Sequence, residues 1–167
     1  PHLPLILMAQ RRPLIIVDGR IKQIGPGDIL DAKVLEVDTI SQQNNNTESI
    51  VIGSPVYNDG EGTVDLAKAD SVNTVEVLGL VQDISIAADA SGNIQTDGVL
   101  TATTAQWDIV TGDTGGLTPG AIYYLSPATA GKLTKTAPTT VGQFVLRIGK
   151  ALGATKLDIS INQPIEL

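Results

Sequence analysis

Short apolar runs separated by turn residues recur along the whole chain, and the 3.6-residue spacing of an amphipathic helix is nowhere sustained. Lys156-Leu157-Asp158-Ile159-Ser160-Ile161 alternates apolar and polar positions, which gives a strand one buried face and one wet face. Leu14-Ile15-Ile16-Val17 and Arg20-Ile21-Lys22-Gln23-Ile24 flank Asp18-Gly19, a pair that suits a two-residue type I′ turn and so predicts a β-hairpin. Gly25-Pro26-Gly27 makes a second turn before a β-favouring run over 29–37. From Glu48 onward, strands are predicted at 49–52, 56–57, 74–78, 81–87, 94–96, 122–125, 132–136, 143–150 and 156–161, with a turn at Ser91-Gly92-Asn93. Residues 66–70 and 104–107 amount to single helical turns at most, the second with Thr103 or Thr104 as its cap.

This pattern predicts an all-β protein: an antiparallel β-sandwich or barrel with an extended N-terminal arm and a β-hairpin. Residues 1–38 form the arm and hairpin. Residues 39–47, Thr-Ile-Ser-Gln-Gln-Asn-Asn-Asn-Thr, are polar and lack apolar periodicity, so they read as a linker, and 48–167 form the β domain. Within the arm, Pro4 and Pro13 bracket Leu5-Ile6-Leu7-Met8 and oppose regular pairing. A segment so short and apolar cannot bury itself and must lie on its own domain or on a partner.

Composition narrows the chemistry. The 167 residues include no Cys and one His, His2, so a thiol nucleophile or thiolate metal site is excluded. A Ser-His-Asp triad, a His-rich zinc site or a His base would have to be built on the second residue, and no enzymatic activity, cofactor or metal is expected. The net charge of −7 repels phosphate backbones and anionic lipid heads, and five aromatic residues are too few for a base-stacking platform, so neither nucleic acid nor membrane is an expected partner. The apolar run at 5–9 is far shorter than the ~20 residues that cross a bilayer, and Arg11 and Arg12 follow it rather than precede it, unlike a secretory signal. The charge is unevenly placed. Residues 1–33 carry five bases against three acids, residues 34–131 carry thirteen acids against Lys68 alone, and residues 132–167 carry five bases against two acids.

Few motifs carry chemistry. Gly112-Asp113-Thr114-Gly115-Gly116 is glycine-rich but does not continue into Gly-Lys-Ser/Thr, so it reads as a tight turn rather than a phosphate cradle. Asp59, Glu61 and Asp65 form an acidic group whose spacing fits no calcium loop. Asn45-Asn46-Thr47 matches a glycosylation acceptor, taken as chance without a secretion signal. Trp107, the only Trp, reads as a core filler before a binding residue.

Two stretches carry a family resemblance. The first is Arg12-Pro13-Leu14-Ile15-Ile16-Val17-Asp18-Gly19-Arg20-Ile21-Lys22-Gln23-Ile24 with Gly27-Asp28. The second runs from Gln106-Trp107-Asp108-Ile109-Val110-Thr111-Gly112 through Gly116-Leu117-Thr118-Pro119-Gly120-Ala121-Ile122-Tyr123-Tyr124-Leu125-Ser126 and continues through Gly131-Lys132-Leu133-Thr134, Ala137-Pro138-Thr139 and Ile148-Gly149-Lys150-Ala151-Leu152. With Gly53-Ser54-Pro55-Val56-Tyr57, the likeness spans most of 48–167. It resembles virion structural proteins of tailed bacteriophages, most of all capsid decoration (cement) proteins; the same β module occurs in tail-fibre and baseplate proteins. The short chain without internal repeat favours decoration over a fibre. The resemblance implies a homotrimer on the outer capsid surface of the virion, made in the bacterial cytoplasm, that clamps neighbouring copies of the major capsid protein. The residues expected at the capsid contact are Leu3, Leu5, Ile6, Leu7, Arg11 and Arg12, which their own domain has least means to bury or pair. The alternatives are a tail or baseplate module binding receptor or glycan through Trp107 and Tyr123-Tyr124, and, more remotely, a polysaccharide hydrolase using carboxylates such as Asp59 and Glu61.

Overall fold

The computed structural model describes residues 38–167 and, before them, the strands β1 (Leu14–Val17) and β2 (Arg20–Gln23). The chain divides into two units, Pro1–Leu35 and Glu36–Leu167. In the first, β1 pairs antiparallel with β2, Val17 opposite Arg20, so that Asp18 and Gly19 alone connect them and the expected hairpin is present. The strand expected over 29–37 and the arm of residues 1–13 lie outside the described residues.

In the second unit, the mostly β character read from the sequence is what the structure shows. Five strands close a barrel in the order β3 (Thr39–Asn44), β6 (Thr63–Leu66), β5 (Pro55–Gly60), β7 (Val77–Val81) and β9 (Ser91–Gln95). Closure depends on β3, which pairs antiparallel with β9 along five residues and parallel with β6 at Gln43–Thr63 and Asn44–Val64. This one parallel contact departs from the expected antiparallel architecture. The barrel is filled by Val56, Val64, Val81 and Ile94, with Ile50 and Ile86 from the short pair β4 (Ile50–Val51) and β8 (Ser85–Ile86).

The stretch read as a linker is therefore corrected: residues 39–44 are a barrel strand. The polar run hid it because only Ile40 is apolar among the six, while the buried end position, Asn44, is an amide satisfied by hydrogen bonds. Ser91-Gly92-Asn93 is likewise strand rather than turn, held opposite Gln43, Gln42 and Ser41. The strand expected at 74–78 begins only at Val77. Thr74 is drawn into a turn, its backbone N–H donating to Ser71 O and its hydroxyl to Lys68 O.

A second sheet follows the barrel in sequence, ordered β10 (Gly98–Thr101), β15 (Lys156–Ile159), β14 (Arg147–Gly153), β11 (Ile122–Leu125) and β12 (Leu133–Thr134). All its pairings are antiparallel. The pair β13 (Phe144–Val145) and β16 (Ile165–Glu166) stands beside it as a separate ribbon. One face of the second sheet contributes Leu100, Tyr123, Leu125, Ile148, Leu157 and Ile159 to a core that also takes Ile52, Ala67 and Leu80 from the barrel side.

Helix α1 (Thr104–Thr111) spans two turns, longer than the single turn expected, and buries Trp107 and Val110 in that core. Its start is a capping box: Thr103 Oγ1 accepts from Gln106 N–H at 3.3 Å, and Gln106 Oε1 accepts from Thr103 N–H at 2.8 Å. Its end is Gly112 at φ +71°, where a side chain would be strained and whose N–H returns to Asp108 O. Thr103→Ala should cost about 1 kcal/mol by urea denaturation, the usual size of a lost cap; Thr103→Ser, which keeps the acceptor, should cost much less. Residues 66–70, the other helical turn expected, are instead the end of β6 and the stretch after it, with Ala67 N–H donating to Pro55 O and Ala69 N–H to Ser126 O.

Candidate functional site

The expected capsid-contact residues Leu3, Leu5, Ile6, Leu7, Arg11 and Arg12 lie outside the described residues. The other candidates fall within the second unit.

Trp107 and Tyr123 are fully buried, so neither ring offers a surface for stacking on a sugar; only Tyr124 of the three aromatic candidates is partly exposed. Their burial has a local cause. Trp107 points into the core from the apolar side of α1, and Tyr123 occupies an inward position of β11, its hydroxyl accepting from Thr118 N–H at 2.9 Å.

The acidic group is built by the β5–β6 turn and by the asparagines that follow β3. Asn45 Nδ2 donates to Asp59, and Asn46 Nδ2 donates to Asp65 Oδ1 at 2.7 Å, an oxygen that also accepts from Leu66 N–H. The Asn45 of the glycosylation-like triplet is thus occupied by a carboxylate. Asp59 and Glu61 are exposed, and the pKa of Tyr57 is raised by its partial burial and then by the negative charges of Asp65 and Asp59. Each carboxylate is spent on an amide or on solvent rather than on another carboxylate. Among the described residues, no group of three or more Asp, Glu, His or Cys is placed to hold a metal ion.

The glycine-rich segment after α1 is organised by Asp108, whose carboxylate accepts from Gly116 N–H at 2.6 Å and Gly115 N–H at 3.2 Å. These are the amides a phosphate would need, and a carboxylate already takes them. Lys135 ties the same region down through Asp113 at 3.0 Å, a bond that raises the lysine pKa.

Two surface features were not singled out by sequence reading. One is an open groove of about 490 Å³ whose lining includes Ile52, Ile84, Thr101, Ala102, Gln106 and Thr155. The other is the outer face of the second sheet. Val99, Ile122, Lys150, Leu152 and Lys156 are exposed and Asp158 is half-buried, while β14 breaks the alternation at the irregularities beside Ile148 and Leu152. Val99, Asp158, Lys150 and Ile122 form one cross-strand row, since Val99 pairs with Asp158, Asp158 with Lys150, and Lys150 with Ile122. The alternation of 156–161 was readable; that its wet face would align with exposed Val99, Ile122 and Leu152 required the strand order. No helix among the described residues is long and apolar enough to cross a membrane.

No protein-family model matches the chain, and no curated protein matches it in sequence.

Proposed function

We propose that this protein is a bacteriophage capsid decoration protein: a homotrimer that binds the outer shell surface and clamps neighbouring subunits of the major capsid protein. The observation that carries the reading is the resemblance over most of 48–167. Its longest stretch, residues 106–126, takes in most of α1, the glycine turn braced by Asp108 and β11. In this reading the apolar N-terminal residues Leu3, Leu5, Ile6 and Leu7 supply the shell contact, with Arg11 and Arg12 seated on acidic capsid surface. Burial of apolar area contributes about 25 cal/mol per Å² before association and ordering costs are subtracted. Three linked protomers then bind with the avidity of a high effective concentration, which makes a modest contact persistent.

The test is sedimentation of the full chain with empty shells of its phage, followed by heating of the shells. Co-sedimentation and a raised disruption temperature are expected, because a ligand of the intact shell stabilises it by linkage. Replacing Leu5, Ile6 and Leu7 with Asp should weaken shell binding at least about tenfold, as expected when apolar anchors of an interface are lost. A protein that ignores shells and is recovered with isolated tails would overturn the reading in favour of a baseplate or fibre component.

A further inference from the structure

The second unit is electrically divided along the boundary between its two β structures. Residues 38–97, which contain the whole barrel, hold ten acids against Lys68 alone, whereas residues 98–167, which contain the second sheet, hold five bases against four acids. Two of these bases, Lys150 and Lys156, stand exposed on the outer face of the sheet, and the half-buried Arg147 lies opposite Tyr124 in register, whereas Lys132 and Lys135 are held at Ile109 O and Asp113. Asp158 is the one acid on that face, and among the described residues neither Lys150 nor Lys156 has a carboxylate within ion-pair distance.

The same face is unusually apolar for a solvent-facing sheet. Val99 is 41%, Ile122 37% and Leu152 56% exposed, positions that a half-wet antiparallel sheet ordinarily fills with polar residues. Val99 and Ile122 stand at the two ends of a row whose middle positions are Asp158 and Lys150, with Leu152 on the same strand as Lys150. Exposed apolar side chains interleaved with two lysines that have no ion-pair partner among the described residues suit an acidic partner surface. An acidic surface is carried by every copy of this chain, on the barrel, where Asp59, Glu61 and Asp89 are exposed.

We propose that the outer face of the second sheet docks on the acidic barrel of a second copy of this chain. The contact joins two different surfaces, so it is heterologous. Such contacts close into a ring when the rotation between copies permits. The proposal rests on the homotrimer of the preceding section and assigns that trimer an interface. Charge steers the approach and fixes which surfaces meet, and Val99, Ile122 and Leu152 supply the apolar area that is removed from water.

Sedimentation equilibrium of the full chain without shells tests it, so that failure here is separable from failure to bind a capsid. At 50 mM NaCl the wild type should sediment above monomer mass. The dissociation constant should rise about tenfold or more at 500 mM, as screening shortens the reach of exposed charges. Lys150→Glu with Lys156→Glu, at exposed positions that leave the core untouched, should raise it at least about thirtyfold at low salt, since like charges then face each other. Zero-length carbodiimide cross-linking of mixed light and nitrogen-15 protein should join Lys150 or Lys156 of one copy to a carboxylate within 38–97 of another. A monomer at low salt overturns the proposal and leaves the face to some other acidic partner. Self-association that ignores the double reversal, or cross-links that bypass both lysines, overturns it equally.

Discussion

Trp107→Ala should destabilise the folded protein by about 3–5 kcal/mol, the range for removing a large aromatic from a packed core. Trp107 is 0% exposed and is the largest side chain of the shared core. The surrounding backbone is fitted to it. Gly53, at φ +82°, lies so close to the indole that a Cβ there would stand 2.8 Å from Cζ3, so the segment after β4 can pass the ring only as glycine. Removing the indole leaves a cavity between α1 and this segment that rigid barrel strands on one side and the second sheet on the other are poorly placed to fill. The measurement is urea denaturation followed by far-ultraviolet circular dichroism, since the variant loses the only Trp. The midpoint should fall with the slope unchanged, as for a loss of stability without a change in unfolded-state compactness. Trp107→Phe should cost clearly less. It keeps most of the ring volume and removes an indole N–H that is buried without a hydrogen-bond partner. A loss below about 1 kcal/mol for the alanine variant would contradict a core role.

What the sequence made legible, and what it hid, divides along a physical line. Strands written as short apolar or alternating runs between turn residues were readable: β1, β2, β11 and β15 stand within a residue or two of where the pattern puts them, and in β11 and β15 the inward positions are all large and apolar, Tyr123, Leu125, Leu157 and Ile159. The cap of α1 was readable as Thr103 or Thr104, and the structure selects Thr103, which Gln106 answers three residues later. The helix was read too short because Ile109 is exposed while Trp107 and Val110 are buried, which weakens the amphipathic signal. The hidden elements are those held by polar or glycine positions. β9 begins Ser91-Gly92-Asn93, and it pairs because β3 lies opposite, a contact more than forty residues away in the chain. The acidic group at 59–65 was visible in composition; that Asn45 and Asn46 hold its carboxylates was not, since those hydrogen bonds exist only once β3 and β6 run side by side. The basic and apolar face of the second sheet is a product of strand order in the same way, drawing Val99, Ile122 and Leu152 from three strands far apart in sequence.

Asn44→Leu should cost about 2–4 kcal/mol although it replaces an amide with a side chain of similar length at a fully buried position. Asn44 ends β3 where the barrel closes. Its Nδ2 donates to Ile86 O and to Glu48 O, each at 2.9 Å, and its Oδ1 accepts from Asn46 N–H at 2.8 Å. One side chain therefore satisfies the strand β8, the turn that leaves β3, and the loop that carries Asn45 and Asn46 to the acidic turn. Leucine leaves the buried Ile86 carbonyl without that donor, and an unpaired buried polar group costs far more than a hydrogen bond contributes on balance. Water can reach the exposed Glu48 side of the site, which keeps the loss below the sum of three broken bonds. Asn44→Asp gives the sharper test because its sign depends on pH. The new carboxylate would face two carbonyl oxygens in a buried site, so its folded-state pKa is raised above the unfolded value by burial and by the lone pairs opposite it. The protonated form can still donate one hydrogen bond. The stability of this variant should therefore be greatest below the ordinary Asp pKa and fall as pH rises through the raised one, a trend the wild-type amide does not share. Parallel urea titrations at acid and neutral pH read the difference directly, and equal losses at both would show that Asn44 is held by shape rather than by its two donated hydrogen bonds.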